Sequence, residues 1–400
     1  MARSVLLRGG TLWDGQQRQV RVGADVLVED GRIAAVGHEA RDRGAHVVDL
    51  KGRYVLPGLI DMHVHLVWSG GPDPATVVER EGEQLTTVRA AAHAQQQLGA
   101  GVTTVRDLGG NADIPLTVAT AVDRGVLEGP TIVAAGQTII MTGGHDPFWG
   151  LASDGVDAVV RSVRRQVSLG AGVIKVAATG GVYGRPEGED VGQTELTLEE
   201  LTAAVHEAHR FGLKVAAHAL GTEGIRNAVL AGVDTVEHGN FLDEETVALM
   251  RRQGTALCPT LAIYRTIAEG PGAGVPSYAA DKAQRAVVAH RESFAMAREA
   301  GLQIVAGTDA GSCATPHPAL VGELSALCDL GMTPYEALLA ATSTAADVLA
   351  RRGRTGRILP GGPADLVVVD DDPLHDVRAL LEPYLVVREG RIIHPRTEPT

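Results

Sequence analysis

From residue 57 to residue 352 the chain alternates short β-branched runs with segments of helical period. The runs are LIDMHVH, VTTVRDL, TIVAAG, VIKVAAT, KVAAHAL, TVEHG, ALCPTL and QIVAGTDA. Eight strands, each followed by a helix, over roughly 300 residues meet the requirement of a (β/α)8 barrel, whose usual size is about 250 residues plus insertions. A doubly wound open sheet would normally want a Gly-rich dinucleotide turn after its first strand, and LIDMHVH has none. The segment TELTLEELTAAVHEAHRFG has the marks of an outer helix: a Thr with carboxylates in the first turn, apolar residues at helical spacing and Gly212 at the end. His206 and His209 are therefore expected on its surface.

The two ends of the chain have another pattern. VLLRGGTLWDG, ADVLVEDGRIAAVG and HVVDLKGRYVL fill residues 1–55, and Asp30-Gly31 is a hairpin signal between apolar alternations. ADLVVVDDDP and YLVVREGRIIH repeat that style near the C-terminus. Both ends are expected to form one small β-sandwich. The division expected is residues 1–56 for its first part, 57–352 for the barrel and 353–400 for its second part, with Pro57-Gly58 and Pro360-Gly361-Gly362-Pro363 at the joins.

Charge and composition narrow the partners. A formal charge of −13 repels a phosphate backbone, and no basic run with interleaved aromatics overrides it, so no nucleic acid is expected. The longest apolar stretches, residues 131–141 and 214–220, are too short to cross a bilayer. MARSVLLRGGTLWDG reaches Gly-Gly before a hydrophobic signal region can form. A cytoplasmic protein with no membrane partner is expected, acting on a small-molecule substrate as a homo-oligomer. Cys258, Cys313 and Cys328 form no CxxC pair, which suits a reducing compartment. Of 36 basic residues only Lys51, Lys175, Lys214 and Lys282 are lysines, so a lysine inside an apolar strand calls for a specific explanation.

In a barrel of this kind function gathers at the C-terminal ends of the strands. His63 and His65 end the first run, and a spacing of two puts both imidazoles on one face of an extended chain. Lys175 lies in the fourth run, His218 ends the fifth, His238 the sixth and Asp309 the eighth. Imidazole and carboxylate together suit zinc, with manganese, iron or cobalt as alternatives. Taken singly, an HxH pair is commonly incidental, a strand-end His is commonly a satisfied polar group, and GTDAG is an ordinary turn. Their conjunction at one rim favours metal ligation. Lys175 has its own ordinary explanation as a lysine snorkelling from the barrel mouth. Burial and positive neighbours, however, favour its neutral amine, which can react with carbon dioxide to give an anionic carbamate able to bridge two metals.

These residues carry a resemblance. GLIDMHVHL, GVTTVRDLGG, TGGHD, IKVAATGGV, KVAAHALGTEGI, AGVDTVEHG, PTLAIY, AGTDAG, GMTPYEALLAATSTAADVLA and ADLVVVDDDPL span essentially the whole chain. It resembles the amidohydrolase superfamily, and within it the imidazolonepropionase-like and prolidase-like members that cleave Xaa-Pro or Xaa-Arg/Lys dipeptides. The resemblance implies that His63, His65 and Asp309 hold a more buried metal and His218 and His238 a more exposed one. N6-carboxylated Lys175 would bridge the two divalent ions, zinc being expected.

Two such ions lower the pKa of a shared water enough to make a bridging hydroxide the nucleophile. Asp309 would take its proton and deliver it to the leaving amine. His145 in TGGHD matches a family His that contacts the scissile carbonyl or oxyanion, with Gly143-Gly144 allowing close backbone approach. Many relatives carry Tyr or His two residues after the fifth-strand His, where this chain has Leu220. Tyr183 and Arg185, or Tyr264, Arg265 or His317, are candidates for binding a substrate carboxylate, and residues 263–282 for part of a lid. The expected reaction is cleavage of an amide, of an Xaa-Pro dipeptide or an N-acyl amino acid. A deaminase or cyclic-amide hydrolase is the alternative, with Glu223 as a weak candidate acid and Lys175 against a single metal. A non-enzymatic scaffold would have lost ligands, and none is missing.

Overall fold

The computed structural model describes residues 4–41, 44–185, 187–270, 274–350 and 355–395. The N-terminal part forms β1 (Val5–Leu12), β2 (Arg21–Glu29), β3 (Arg32–Val36), β4 (His46–Asp49) and β5 (Tyr54–Pro57). Asp30 and Gly31 make the β2–β3 turn, both with left-handed φ, of 48° and 78°. That backbone matches the twist of the strands it joins.

The middle of the chain supplies β6 (Leu59–Val64), β7 (Val102–Asp107), β8 (Thr131–Ala134), β9 (Ile139–Ile140), β10 (Leu151–Ala152), β11 (Val173–Ala177), β12 (Lys214–Ala219), β13 (Thr235–His238) and β14 (Ala256–Cys258). The C-terminal part adds β15 (Leu366–Val369), β16 (Leu385–Arg388) and β17 (Arg391–Pro395). The two ends meet: β15 runs antiparallel to β5, with Val367 opposite Leu56, in an eight-stranded sheet of order β17-β16-β15-β5-β1-β2-β3, β4 pairing with β1. Period-two alternation sorts its side chains. Leu7, Val26, Val28, Val55, Leu366 and Val368 share one core, while Leu6 and Leu27 pack with Ala40 in another.

Between the ends lies a mixed α/β body. β6-β7-β8 form one parallel sheet, and β9 through β14 belong to a second, of order β10-β9-β11-β12-β13-β14. Every residue of β6, β7 and β11 is buried, which explains apolar runs without alternation. Backbone hydrogen bonds link the two sheets on both sides. Gly172 donates to Ala134 O at 2.9 Å, between β8 and the approach to β11. On the other side, Ile304 bridges Leu257 of β14 and Ala310 bridges Val64 of β6, both in parallel.

The run QIVAGTDA thus makes bridges and no regular ladder, and packing explains the difference. A Cβ on Gly307 would fall 2.4 Å from Cys258 Sγ and 2.9 Å from His63 N. Thr308 turns to the buried Asp61 carboxyl, with N to Oδ1 at 3.0 Å and Oγ1 to Oδ2 at 2.7 Å. Helices cover the strands. The one spanning Leu198–Arg210 starts with a reciprocal Thr197–Glu200 capping box, and His206 and His209 are exposed on it, His209 pairing with Asp234 at 2.8 Å. Among the described residues no helix is long and apolar enough to cross a membrane.

Candidate metal centre

One pocket takes its polar wall from the ends of several strands: His63, His65, His145, Asp146, Lys175, His218, His238, Asp309 and Ser312. Trp68, Val182, Tyr183, Ile263, Tyr264 and Ile267 make the apolar wall. His63 lies within β6 and His65 one residue past it, and the spacing of two brings their ring centroids to 5.3 Å. His63 is 5.2 Å from His238, and His238 is 4.7 Å from His218.

Each imidazole has one nitrogen held from behind. His63 Nδ1 meets Glu237 Oε2 at 3.0 Å, His65 Nδ1 meets Gly109 O at 2.9 Å, His238 Nδ1 meets Thr260 Oγ1 at 2.7 Å and His218 Nε2 meets Gly180 O at 3.3 Å. Fixing one nitrogen sets the ring orientation and leaves the other as a donor, which is how metal-ligating histidines are held. Burial, with the positive neighbours Lys175 and other histidines, keeps His63, His218 and His238 well below the ordinary imidazole pKa. They are neutral rings with a lone pair available. His65 behaves oppositely: burial works against its charge, but the hydrogen bond from its Nε2 to Asp309 Oδ1, at 3.2 Å, and that carboxylate's charge raise its pKa.

His63, His65 and Asp309 offer ligand atoms all within 4.8 Å of one another, a donor set that fits a divalent cation. His63, Glu237 and Cys258 do so too, but Glu237 is engaged otherwise. It accepts Arg106 Nη2 at 2.7 Å as well as His63 and the Thr235 hydroxyl. We read it as support for His63. Arg106, itself 1% exposed, also donates from Nε to Met62 O at 2.6 Å and from Nη1 to Thr235 Oγ1 at 2.9 Å.

Lys175 stands in the middle of β11, 1% exposed, and burial lowers its pKa. Its Nζ makes no hydrogen bond or close ion pair among the described residues, a costly state for an ammonium and a tolerable one for an amine. Backbone strain gathers here as well. Asp146, His238, Thr260 and Asp309 all have left-handed φ, of 60°, 74°, 48° and 58°. Such conformations cost energy and persist where packing over-determines them.

His145 enters from the loop after β9 and stacks on His218 at 3.9 Å. Its backbone N meets both oxygens of Glu195 at 2.8 Å, and its Nδ1 meets Glu189 Oε1 at 2.7 Å. Burial opposes its charge, but Asp146, Glu189 and Glu195 outweigh it and push its pKa up to about 9. Gly144 leaves room for Glu195, whose Oε2 lies 2.6 Å from where a Cβ would stand. On the other side, a Cβ on Gly181 would meet His145 Cε1 at 2.2 Å. Gly181→Ala is therefore expected to displace the ring and lower kcat/KM by about a hundredfold. Steady-state kinetics beside a thermal melt checks this, and a wild-type rate would remove His145 from the reaction.

The remaining candidates separate. Tyr183 and Tyr264 line the pocket, but the Tyr183 hydroxyl donates to Asp73 Oδ1 at 2.6 Å. Arg265 pairs with Asp329 at 3.1 Å on the surface. His317 sits behind His65, its ring nitrogens facing Gln97 Nε2 at 2.9 Å and His65 O at 3.3 Å. Leu220 is buried and does not line the pocket, and Glu223 is exposed. Of the stretch 263–282, Ile263, Tyr264 and Ile267 face the pocket from the helix Leu261–Ala268, and residues 271–273 lie outside the described ones. Sequence reasoning missed Glu189, Glu195, Glu237 and Glu323, the last of which accepts Leu261 N at 2.9 Å and Ala262 N at 2.8 Å at the start of that helix. A charge inside an apolar run, as in TVEHG, was the available signal for Glu237.

The sequence pattern of the amidohydrolase family matches residues 54–393. An ochratoxinase from Aspergillus niger is 30% identical over 421 aligned residues, covering 96% of this chain and 85% of that protein. A crystal structure of a Xaa-Pro dipeptidase with bound methionine in the active site has a TM-score of 0.91 at 32% identity, over 98% of this chain and 99% of the other. An imidazolonepropionase from Chromobacterium violaceum is 29% identical, covering 87% of this chain and 85% of that protein.

Proposed function

This chain belongs to the amidohydrolase family, whose members among its relatives are hydrolases of carbon–nitrogen bonds, and we propose that it cleaves an amide or peptide bond of a small substrate. The substrate is a dipeptide of the Xaa-Pro type or an N-acyl amino acid. His63, His65, Lys175, His218, His238 and Asp309 would hold two divalent metal ions, zinc first, with Lys175 in its N6-carboxylated form. When bound, such ions acidify water and polarise a carbonyl oxygen. The observation that carries the proposal is the convergence of back-held imidazoles, His63, His218 and His238 among them neutral, with an unpaired lysine and the Asp309 carboxylate on a single pocket.

The chain's own residues divide the proton work. Burial pushes the Asp309 carboxyl up, but His63, His65 and Lys175 outweigh it and hold it below the usual carboxylate range. It is thus ionised and able to take a proton at Oδ1 from the attacking water and pass it to the leaving amine. His145, kept protonated by its carboxylate partners, lines the pocket with Nδ1 held by Glu189, and its Nε2, 3.6 Å from Asp146 Oδ1, would donate to the developing oxyanion. Leu220 is buried at the position where the resemblance implies Tyr or His in many relatives, and His145 would supply the donor in their place. The buried pocket walls exclude bulk water from both groups.

We further read the linked strands β6, β7, β8, β11, β12, β13, β14 and residues 303–310 as a (β/α)8 barrel, with the sheet from both termini as a separate small domain, in a cytoplasmic protein. Cyclic-amide hydrolysis is the second reading, favoured by the imidazolonepropionase relative. The deaminase variant draws little support, because Glu223 is exposed and off the pocket. Metal analysis of the purified protein is expected to give about two equivalents per chain. A screen of dipeptides and N-acyl amino acids, with zinc and bicarbonate supplied, is expected to find cleavage that a chelator removes. Ammonia release from amino-heterocycles alone would move the assignment to deamination.

A further inference from the structure

Of the four lysines among 36 basic residues, Lys51 is exposed and Lys214 is half-buried in an ion pair with Asp234. The other two are buried, Lys175 at 1% exposure and Lys282 at 6%. Lys175 lines the pocket and Lys282 does not, so a second buried ammonium, outside the reacting groups, needs its own account. It lies on the helix Ser277–Glu299, where Tyr278, Lys282 and Arg285 follow one another at helical spacing on one face. All three reach the segment that follows β11. The Tyr278 hydroxyl donates to Gly184 O at 3.1 Å, and Arg285 Nη2 meets Asp190 Oδ1 at 3.3 Å. Both side chains of the second pair are 60% exposed, so it contributes little. Lys282 is the buried tie: its Nζ donates to Gly181 O at 3.3 Å and Arg185 O at 3.0 Å, with Glu189 Oε2 at 4.0 Å. A compact head with three donors suits three separate acceptors better than a planar guanidinium fork does.

These contacts lead to His145. Glu189 accepts Gly181 N at 2.7 Å and Arg185 N at 2.5 Å, and the same carboxylate holds His145 Nδ1 at 2.7 Å. Burial pushes the Glu189 carboxyl up, but His145 and the two backbone N–H groups outweigh it and hold it down at about 2. It is therefore a charged hub between His145 inside and Lys282 outside. Gly181 is gripped at both backbone polar groups, N by Glu189 and O by Lys282. Its Cα lies so near the His145 ring that a Cβ would fall 2.2 Å from Cε1. Arg185 does not line the pocket, yet its backbone is held by the same two side chains, N by Glu189 and O by Lys282. A shift of Gly181 and Arg185 thus carries the Glu189 carboxylate and the ring with it, and misplacement of a reacting group by about 1 Å can cost a hundredfold in rate.

We propose that Lys282 is a positioning residue for the hydrolysis: by tying Gly181 O and Arg185 O to the helix Ser277–Glu299, it fixes Glu189 and, through Glu189, the His145 ring. The assignment rests on the hydrolase reading above.

Lys282→Met keeps the length of the stem and removes the ammonium. On the substrate that the wild-type protein cleaves fastest in the screen, it is expected to lower kcat by about 10- to 100-fold and leave KM within about threefold, because a donor to the developing oxyanion acts in the transition state alone. Lys282→Arg, which keeps a charged donor of another shape, should fall between Lys282→Met and wild type. Hydrogen exchange read by mass spectrometry supplies a measurement independent of activity: peptides covering residues 181–185 should exchange about tenfold faster in Lys282→Met, with the strands unchanged. A thermal melt establishes folding, and should Lys282→Met not fold, the same split is read in Lys282→Arg, where wild-type kinetics would end the assignment. Wild-type kcat in folded Lys282→Met, a loss carried wholly by KM, or unchanged exchange over 181–185 overturns it and leaves the hydrolase reading standing. If wild type cleaves no member of the screen, the hydrolase reading fails and takes the positioning role with it.

Discussion

Replacing Lys175 by alanine is expected to lower kcat/KM by about a thousandfold or more while leaving the protein folded. The residue is buried inside β11, where its Nζ faces the histidine cluster and burial disfavours its charge. Nothing among the described residues uses it for packing polarity: no carboxylate pairs with it, as one does with Arg106. A side chain kept at that expense, in a chain that otherwise takes arginine for positive charge, is retained for chemistry. Two controls separate chemistry from structure. Lys175→Met fills the same volume without the amine, so its unfolding midpoint should equal or exceed that of wild type while its activity stays lost. A short-chain carboxylic acid added to Lys175→Ala should restore part of the rate and of the bound metal, by occupying the space with a carboxylate. An undiminished rate in Lys175→Ala would exclude the bridging role.

The second large effect is on stability. Arg106→Met is expected to destabilise the fold by about 3–5 kcal/mol, because it strands the buried Glu237 carboxylate. Both partners are nearly inaccessible, with side-chain exposures of 2% and 0%. Arg106 also ties Met62 O in β6 to Thr235 in β13, across the body of the molecule. Urea unfolding followed by circular dichroism reads the shift. The double variant Arg106→Met, Glu237→Met should recover much of the loss, since neither charge is then left alone. Metal affinity should not recover with it, because His63 Nδ1 still lacks its Glu237 partner. Additive losses in the double variant would mean that the two side chains do not act as a pair.

Those two cases bear on what a sequence can reveal. LIDMHVH and KVAAHAL became β6 and β12 because runs of that length and apolar content are buried on both faces. QIVAGTDA, equally apolar at its start, made only bridges, because Gly307 packs against Cys258 and Thr308 bonds to Asp61, residues that no local pattern connects to it. The HxH spacing was legible for the same local reason as the strands. Glu189 and Glu195 were not, since PEGEDVGQTE reads as a solvated acidic loop until its carboxylates are seen around His145.

Local period and spacing by themselves determined the strand–helix alternation, the β2–β3 turn, the Thr197 cap and the reactive side chains at strand ends, because each depends on neighbours a few residues away. Only the tertiary structure decided which nitrogen of each imidazole is held, which carboxylates surround His145, and that Tyr183, Arg265 and His317 are already engaged. Those outcomes depend on hydrogen bonds and burial shared between residues far apart in the chain, and the energy of a buried polar group is set by whatever the fold brings against it.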